Sequence, residues 1–240
     1  MLNGLLLMDK PSGMTSHDVV DAVRNRLGMR RVGHAGTLDP LATGLLVILV
    51  GSATKRAAEL MNTTKSYCVT MRCGLRTDTG DLAGRVVEQV TQLPVVSEEQ
   101  IRMALQEMIG VQQQVPPMFS AVRVGGRRLY EWARRGVEVD RAPRTIVVHD
   151  CRLVALRWPD IELSVECSKG TYVRTLCETI GRRLGVPAVV ASLRRVRCGD
   201  FLVDEAKSWD QLMSASAQVV AQWLYVGEDR SWYRCAASAA

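Results

Sequence analysis

The chain has 240 residues, room for one large or two small domains with a substantial core. Hydrophobic residues make up 47% and the mean hydropathy is +0.01, so the composition predicts a soluble globular protein, and no apolar run approaches membrane-spanning length. Lys and Arg total 31 against 25 acids, a net charge of +6, and only five of those cations are lysines. Arg suits planar, bidentate phosphate recognition, which favours a nucleic-acid partner, although a GC-rich genome gives the same bias. The seven cysteines are scattered without a C-x-x-C, and His17, His34 and His149 lie far apart. That pattern excludes a disulfide framework and a zinc cluster, so neither a metal nor another cofactor is expected, and reduced thiols in a cytoplasm are.

Along the chain, Leu5 to Met8 reads as a short buried strand closed by the turn Lys10-Pro11-Ser12-Gly13. Ser16 is placed to cap a helix through Leu27, with Val19, Val20, Val23 and Leu27 on one face. Leu45 to Val50 is too short and too aliphatic for anything but a buried strand, and Ala53 to Met61 has a helical pattern. Lys65 to Cys73 alternates as a strand, Gly74 to Gly84 is turn-rich, and Arg85 to Val90 continues the hairpin. Ser97 caps a helix reaching Ile109, with Glu98 and Glu99 at its positive end. Residues 111–144 interleave seven arginines with Phe119, Tyr130 and Trp132 around Pro116-Pro117 and Gly125-Gly126. Such a segment is either a solvated arm or a surface for phosphates and unstacked bases. Strands follow near 145–157, 161–167 and 188–197, with a helix from Thr171 to Leu184. Asp204 to Trp223 reads as one helix, ahead of a frayed tail to Ala240. Helices and strands mix without a regular βαβ alternation, so the expected class is α+β around an antiparallel or mixed sheet.

Candidate chemistry concentrates in Gly33 to Gly44, GHAGTLDPLATG, where three glycines and Pro40 surround one carboxylate, Asp39. Asp39 before Pro40 has the form of a helix start, with Asp39 as N-cap and Gly44 as the stop. The same carboxylate on a loop beside a buried strand is also placed for chemistry, and the two roles are compatible. Arg174 falls in the first turn of the helix after Ser168-Lys169-Gly170, where the macrodipole disfavours a cation. Its partner is either Glu178 at i+4 or a carboxylate from another segment such as Asp39, and local physics leaves these level. Tyr67 opens a strand and is either a core tyrosine or a side chain at a sheet end.

These motifs resemble the TruB family of bacterial tRNA pseudouridine synthases. The resemblance runs from Gly4-Leu-Leu-Leu-Met-Asp-Lys-Pro-Ser-Gly13 through GHAGTLDPLATG, RTDTGD (Arg76 to Asp81), VPPMFSAV, GGRRLYEWARRG and CSKGTYVRTL to Ser192-Leu193-Arg194-Arg195, in family order. It implies isomerisation of uridine 55 in the T-loop of tRNA by way of a flipped-out base. By the same resemblance Asp39 is the nucleophile, Tyr67 stacks on the base and serves C5 deprotonation, and Arg174 pairs with the carboxylate. His34, Tyr172 and Leu193 are substrate-binding positions. The implied fold is a mixed, mainly antiparallel sheet flanked by helices and loops, with residues 1–201 as the catalytic domain and 111–144 as its RNA-gripping insertion. Residues 202–240 are too few for the PUA-type domain that many relatives append, so a C-terminal helix and tail are expected, with no complete PUA domain. The implied partner is the tRNA T-arm, with no membrane and no obligate protein partner. A non-catalytic RNA-folding factor using the same groove, and a base-releasing nucleosidase, are the competing readings.

Overall fold

In the computed structural model the described residues are 2–227 and the short strand Tyr233–Arg234. In chain order the elements open with β1 (Gly4–Lys10), α1 (Ser16–Leu27), β2 (Val32–His34), β3 (Thr43–Val50) and, after a 3-10 turn at Gly51–Arg56, α2 (Ala57–Met61). Then come β4 (Lys65–Cys73), β5 (Leu75–Thr77), β6 (Val86–Gln89), α3 (Glu98–Gln106), β7 (Gly110–Gln114), β8 (Arg123–Val124), β9 (Arg127–Arg128) and α4 (Leu129–Ala133). β10 (Arg144–Arg157), β11 (Asp160–Cys167), α5 (Val173–Arg183) and β12 (Ala188–Cys198) follow. The chain closes through β13 (Phe201–Leu202), β14 (Lys207–Ser208), α6 (Trp209–Ser214), α7 (Ala217–Gln222), β15 (Tyr225–Val226) and β16 (Tyr233–Arg234). The class is α+β with mainly antiparallel pairing, as expected.

The chain divides into two compact units. One comprises the residues up to Lys65 and those from Arg194 onward. Its centre is the antiparallel pair β1–β3, registered from Gly4 opposite Val50 to Lys10 opposite Gly44. Leu5, Leu7, Leu45, Val47 and Leu49 bury one face with Ala35, Cys198 and Tyr225, and Leu6, Met8, Leu46 and Ile48 on the other face are buried too. Burial on both faces explains why these strands read as unbroken aliphatic runs rather than alternations. α1 opens with a capping box in which Thr15, not Ser16, is the cap and exchanges hydrogen bonds with Asp18.

The other unit, Ser66 to Leu193, runs β12–β4–β11–β10–β7 across its sheet. β4 buries Tyr67, Val69, Met71 and Cys73 and turns Cys68 outward, the period of two expected of a half-buried strand. RTDTGD begins within β5 and folds into a knot at its end. Thr77 Oγ1 donates to the Asp81 carbonyl at 2.6 Å, Thr79 Oγ1 donates to the Asp81 carboxylate at 2.7 Å, and the Val190 amide donates to the Gly80 carbonyl at 3.0 Å.

Three expectations change. Asp39 caps no helix: the Ala42 amide donates back to the Asp39 carbonyl at 3.1 Å, a β-turn with Pro40 at its second position. Only Leu41 and Ala42 separate Pro40 from β3, too few for a helical turn, and Gly44 is a strand residue with φ +97° rather than a helix stop. The single helix expected over Asp204–Trp223 is two, because Ala215 is extended (ψ 147°) and Ser216 caps a fresh start. The Ser214 hydroxyl donates back to the Asp210 carbonyl, the local competition that makes serine a poor interior helix residue. Gly74 to Gly84 also contains the strand β5, which pairs with β6. The expected tail to Ala240 lies outside the described residues apart from β16.

Cys73, Cys151, Cys167, Cys177 and Cys198 are buried and Cys68 is exposed. Burial pushes the thiols of Cys73 and Cys151 up to about 12, so they are inert as nucleophiles at neutral pH. In a Cys235→Ser variant, native protein should therefore react with an aromatic disulfide reagent at one fast thiol, lost in Cys68→Ser. Several fast thiols would contradict this packing.

Candidate active site

The loop between β2 and β3 is held by donors that grip its main chain. Lys10, fully buried at the end of β1, donates from Nζ to the carbonyls of Met14 (2.7 Å), Pro11 (2.9 Å) and Pro40 (3.3 Å). An ammonium has three protons, and three carbonyls receive them. Ser16 Oγ accepts from the Leu38 amide at 2.8 Å and donates to the Leu38 carbonyl at 3.1 Å, satisfying both backbone groups of the residue before Asp39. The Gly13 amide and the Ser12 hydroxyl donate to the Pro40 and Leu41 carbonyls at 2.8 and 3.0 Å.

From β12, Arg195 reaches both flanks of the same loop. Its Nε donates to the Leu45 carbonyl at 2.7 Å and its Nη2 to the Gly36 carbonyl at 3.1 Å, and the side chain is 1% exposed. Its backbone lies against Gly44, where a Cβ would stand 2.8 Å from the Arg195 nitrogen and collide with its carbonyl. Neighbouring Arg194 turns the other way and makes a bidentate pair with Asp9 at 2.7 and 2.9 Å. Asp39 emerges half-buried from this framework, and His34 ends β2 opposite Ile48.

Electrostatically, burial pushes the Lys10 ammonium down to about 8, the Arg195 charge adds to that, and the carboxylates of Asp39 and Asp18 draw it back up. Asp39 thus shares its loop with two buried cationic side chains, Lys10 and Arg195. Neither had a role assigned from sequence. Lys10 was visible only as part of a turn motif, and Arg195 as one member of an Arg-Arg pair whose two side chains diverge.

In the other unit, Arg174 is the second residue of α5, with Tyr172 at the N-cap. The unfavourable dipole position is offset by two carbonyls: Nη1 donates to Thr79 at 2.6 Å and Nη2 to Phe119 at 2.8 Å. Arg174 is 4% exposed and ties the RTDTGD knot to the segment after β7. The bare Cα of Gly80 permits this approach, since a Cβ there would lie 3.3 Å from the Arg174 Cβ and 3.0 Å from a Glu178 carboxylate oxygen. Burial raises the Glu178 pKa, while Arg182, Arg76 and Arg174 pull it down. The main chain of Tyr172 is pinned by Gln114, whose buried amide accepts from the Tyr172 nitrogen at 2.7 Å and donates to its carbonyl at 3.1 Å. Tyr67 and Leu193 are 9% and 8% exposed, on β4 and β12. The structure therefore places Asp39 and His34 in one unit, and Tyr67, Tyr172, Arg174 and Leu193 in the other.

Within 111–144, β8 and β9 form a hairpin turned by Gly125 and Gly126, both at positive φ, a two-residue connection that needs glycine. The Arg127 guanidinium lies 5.2 Å from the Trp132 ring centroid, and those of Arg134 and Arg128 lie 5.4 and 5.9 Å from Tyr130. These arginines are exposed. Among the described residues no group of His, Cys, Asp and Glu side chains is placed to hold a metal ion, and no helix is long and apolar enough to cross a membrane.

Residues 24–173 match the model for the TruB family pseudouridylate synthase N-terminal domain, and residues 174–225 match the tRNA pseudouridylate synthase B C-terminal domain. Relatives carrying the name tRNA pseudouridine synthase B include one from Aromatoleum aromaticum, 43% identical over 219 residues, covering 91% of this chain and 70% of the relative. Another, from Syntrophotalea carbinolica, is 47% identical over 206 residues, covering 85% and 67%. Among solved structures, a chain of a Cbf5–Nop10–Gar1 complex superposes with a TM-score of 0.68 at 29% identity, covering 87% of this chain and 53% of that one. The chain thus spans about half the length of that solved protein. Both family models fall consecutively on the segments that carry Asp39, Tyr67 and Arg174, and the chain belongs to the TruB family of pseudouridylate synthases.

Proposed function

We propose that this chain isomerises uridine 55 in the T-arm of tRNA to pseudouridine, in the cytoplasm. The observation that carries the reading is a half-buried carboxylate, Asp39, on a loop whose main chain is fixed by two buried cations, in a chain of this family. The reaction breaks the N1–C1′ bond, turns the uracil and joins C5 to C1′. The C5 proton leaves and N1 gains one, so no redox partner or hydrolytic water enters the balance. Asp39 is the nucleophile, and Arg174 keeps its carboxylate charged against the desolvation of a closed pocket. Tyr67 stacks on the flipped base and serves C5 deprotonation, with His34, Tyr172 and Leu193 forming further walls. Stacking on an aromatic face returns ~1–3 kcal/mol of the unstacking cost.

The 111–144 arm is the RNA grip. On Trp132 the single arginine is worth ~0.5–1 kcal/mol at an exposed site, less than the ~1–3 kcal/mol a base gains there. Exchange of guanidinium for base on that ring is therefore downhill and frees Arg127 for a phosphate.

RNA carrying tritium at C5 of the target uridine should lose its label to water with wild-type protein, and Asp39→Asn should abolish release while still binding RNA. Release at the wild-type rate by that variant would refute the nucleophile assignment. Free uracil among the products would favour the nucleosidase instead. Replacing Arg127, Arg128 or Arg134 by Ala should weaken tRNA binding and lower the slope of log Kd against log salt by about 0.7–0.9 each. An unchanged slope would remove the arm from the interface.

Lys10 adds a pH dependence. As pH rises through about 8 its charge is lost beside Asp39 and one carbonyl loses its donor, so the turnover rate should fall above that point. Its effect on stability has the opposite sign. Between about 8 and the ordinary 10.5 the unfolded chain binds the extra proton, so this group by itself favours the folded state more as pH rises. An alkaline loss of rate without loss of melting temperature, shifted upward in Lys10→Arg, is the expected signature. A limb that coincides with unfolding, or stays put in the variant, would contradict it.

A further inference from the structure

We infer that Arg195 is a positioning residue for Asp39, its guanidinium fixing the reach of the carboxylate by tying Gly36 and Leu45, the two flanks of the loop, to one rigid plane. The inference rests on the reading of Asp39 as nucleophile.

Four observations carry it. The two anchors bracket Asp39 by three residues on one side and six on the other, so the turn at Asp39–Ala42 closes between fixed ends. The side chain is fully buried, and both acceptors are main-chain carbonyls, Gly36 within the loop and Leu45 in the strand that follows it, so its charge is spent on loop geometry rather than on a surface ion pair. Two glycines mark where the chain meets β12 and this side chain. Gly44 in β3, at φ +97°, leaves the space that the backbone at position 195 fills, and Gly36, at φ +98°, takes a left-handed conformation that presents its carbonyl to Nη2. Finally, Lys10 holds the Pro40 carbonyl on the same loop. The Asp39 peptide is thereby framed by cations anchored on β1 and β12.

Only a guanidinium meets this need. Its Nε and Nη2 diverge at a fixed angle and satisfy two separate carbonyls, whereas a lysine ammonium is one point on a flexible stem. A displacement of about 1 Å at a reacting group is enough to cost about 100-fold in rate.

The test uses full-length chain and saturating tRNA. Arg195→Lys should reduce kcat about 100-fold per folded molecule, with KM within threefold of wild type. Native-state hydrogen exchange should show the Ala42 amide losing protection while Leu46 and Ile48 keep theirs. Arg24→Met breaks a comparable tie in the same unit, from Nη2 to the Val32 carbonyl at 2.7 Å, and serves as the stability control. It should lower the melting temperature and leave kcat unchanged. Gly36→Ala disturbs the same anchor without altering Arg195 and should reproduce the kcat loss, so the test stands even where Arg195→Lys fails to fold. Wild-type kcat in folded Arg195→Lys, or in Gly36→Ala, would overturn the inference. Should Asp39→Asn abolish activity while those variants retain it, only the positioning role fails. Should Asp39→Asn itself stay active, the nucleophile reading fails first.

Discussion

The loop carrying Asp39 depends on a simple demand: buried carbonyls need donors. Leu38 and Leu45 present buried carbonyl oxygens, Gly36 and Pro40 partly buried ones and Leu41 an exposed one, and an unpaired buried carbonyl costs about 1–3 kcal/mol. Lys10, Ser12, Ser16 and Arg195 supply the protons. Two of the four are cations, and charge-assisted hydrogen bonds are roughly twice as strong as neutral ones. The Lys10 ammonium also feels the Asp39 carboxylate, so one side chain both shapes the loop and meets the charge the loop carries.

A parallel solution appears in the other unit. Arg174 sits where the helix dipole opposes it, and the carbonyls of Thr79 and Phe119 make the position tolerable. Since a guanidinium has five donors in a planar fork, anchoring on two carbonyls is compatible with recognising a carboxylate as well. The glycines follow from this economy. Gly44 and Gly80 lack a Cβ because an arginine backbone or stem occupies the space it would need.

Much of this was visible in the sequence and some was hidden, for identifiable reasons. The aliphatic runs of β1 and β3, the alternation of β4 and the capping Ser97 announced their elements because local pattern and final environment agree. Asp39 and Arg174 stood out as charges in unfavourable or glycine-rich settings. Asp-Pro misled, since it opens β-turns as readily as helices, and only the two residues left before β3 decide between them. Asp204 to Trp223 misled for a related reason: periodicity continued across Ala215 while serine side chains competed for the backbone. Arg195 was hidden because its meaning lies in two carbonyls 150 and 159 residues away, and no local pattern encodes a long-range contact to main chain.

Stability alone does not account for Lys10 and Arg195. Replacing buried ionic groups by well-packed apolar side chains of similar volume is often neutral or stabilising by about 1–4 kcal/mol. A fold selected only for stability would fill these two positions with methionine or leucine and let the loop close differently. Both cations are instead aimed at the main chain around one aspartate, from strands on opposite sides of β3. Their desolvation cost is offset by carbonyl dipoles and, for Lys10, by the Asp39 carboxylate. What the chain gains is a fixed loop conformation around Asp39, which a hydrophobic core does not supply.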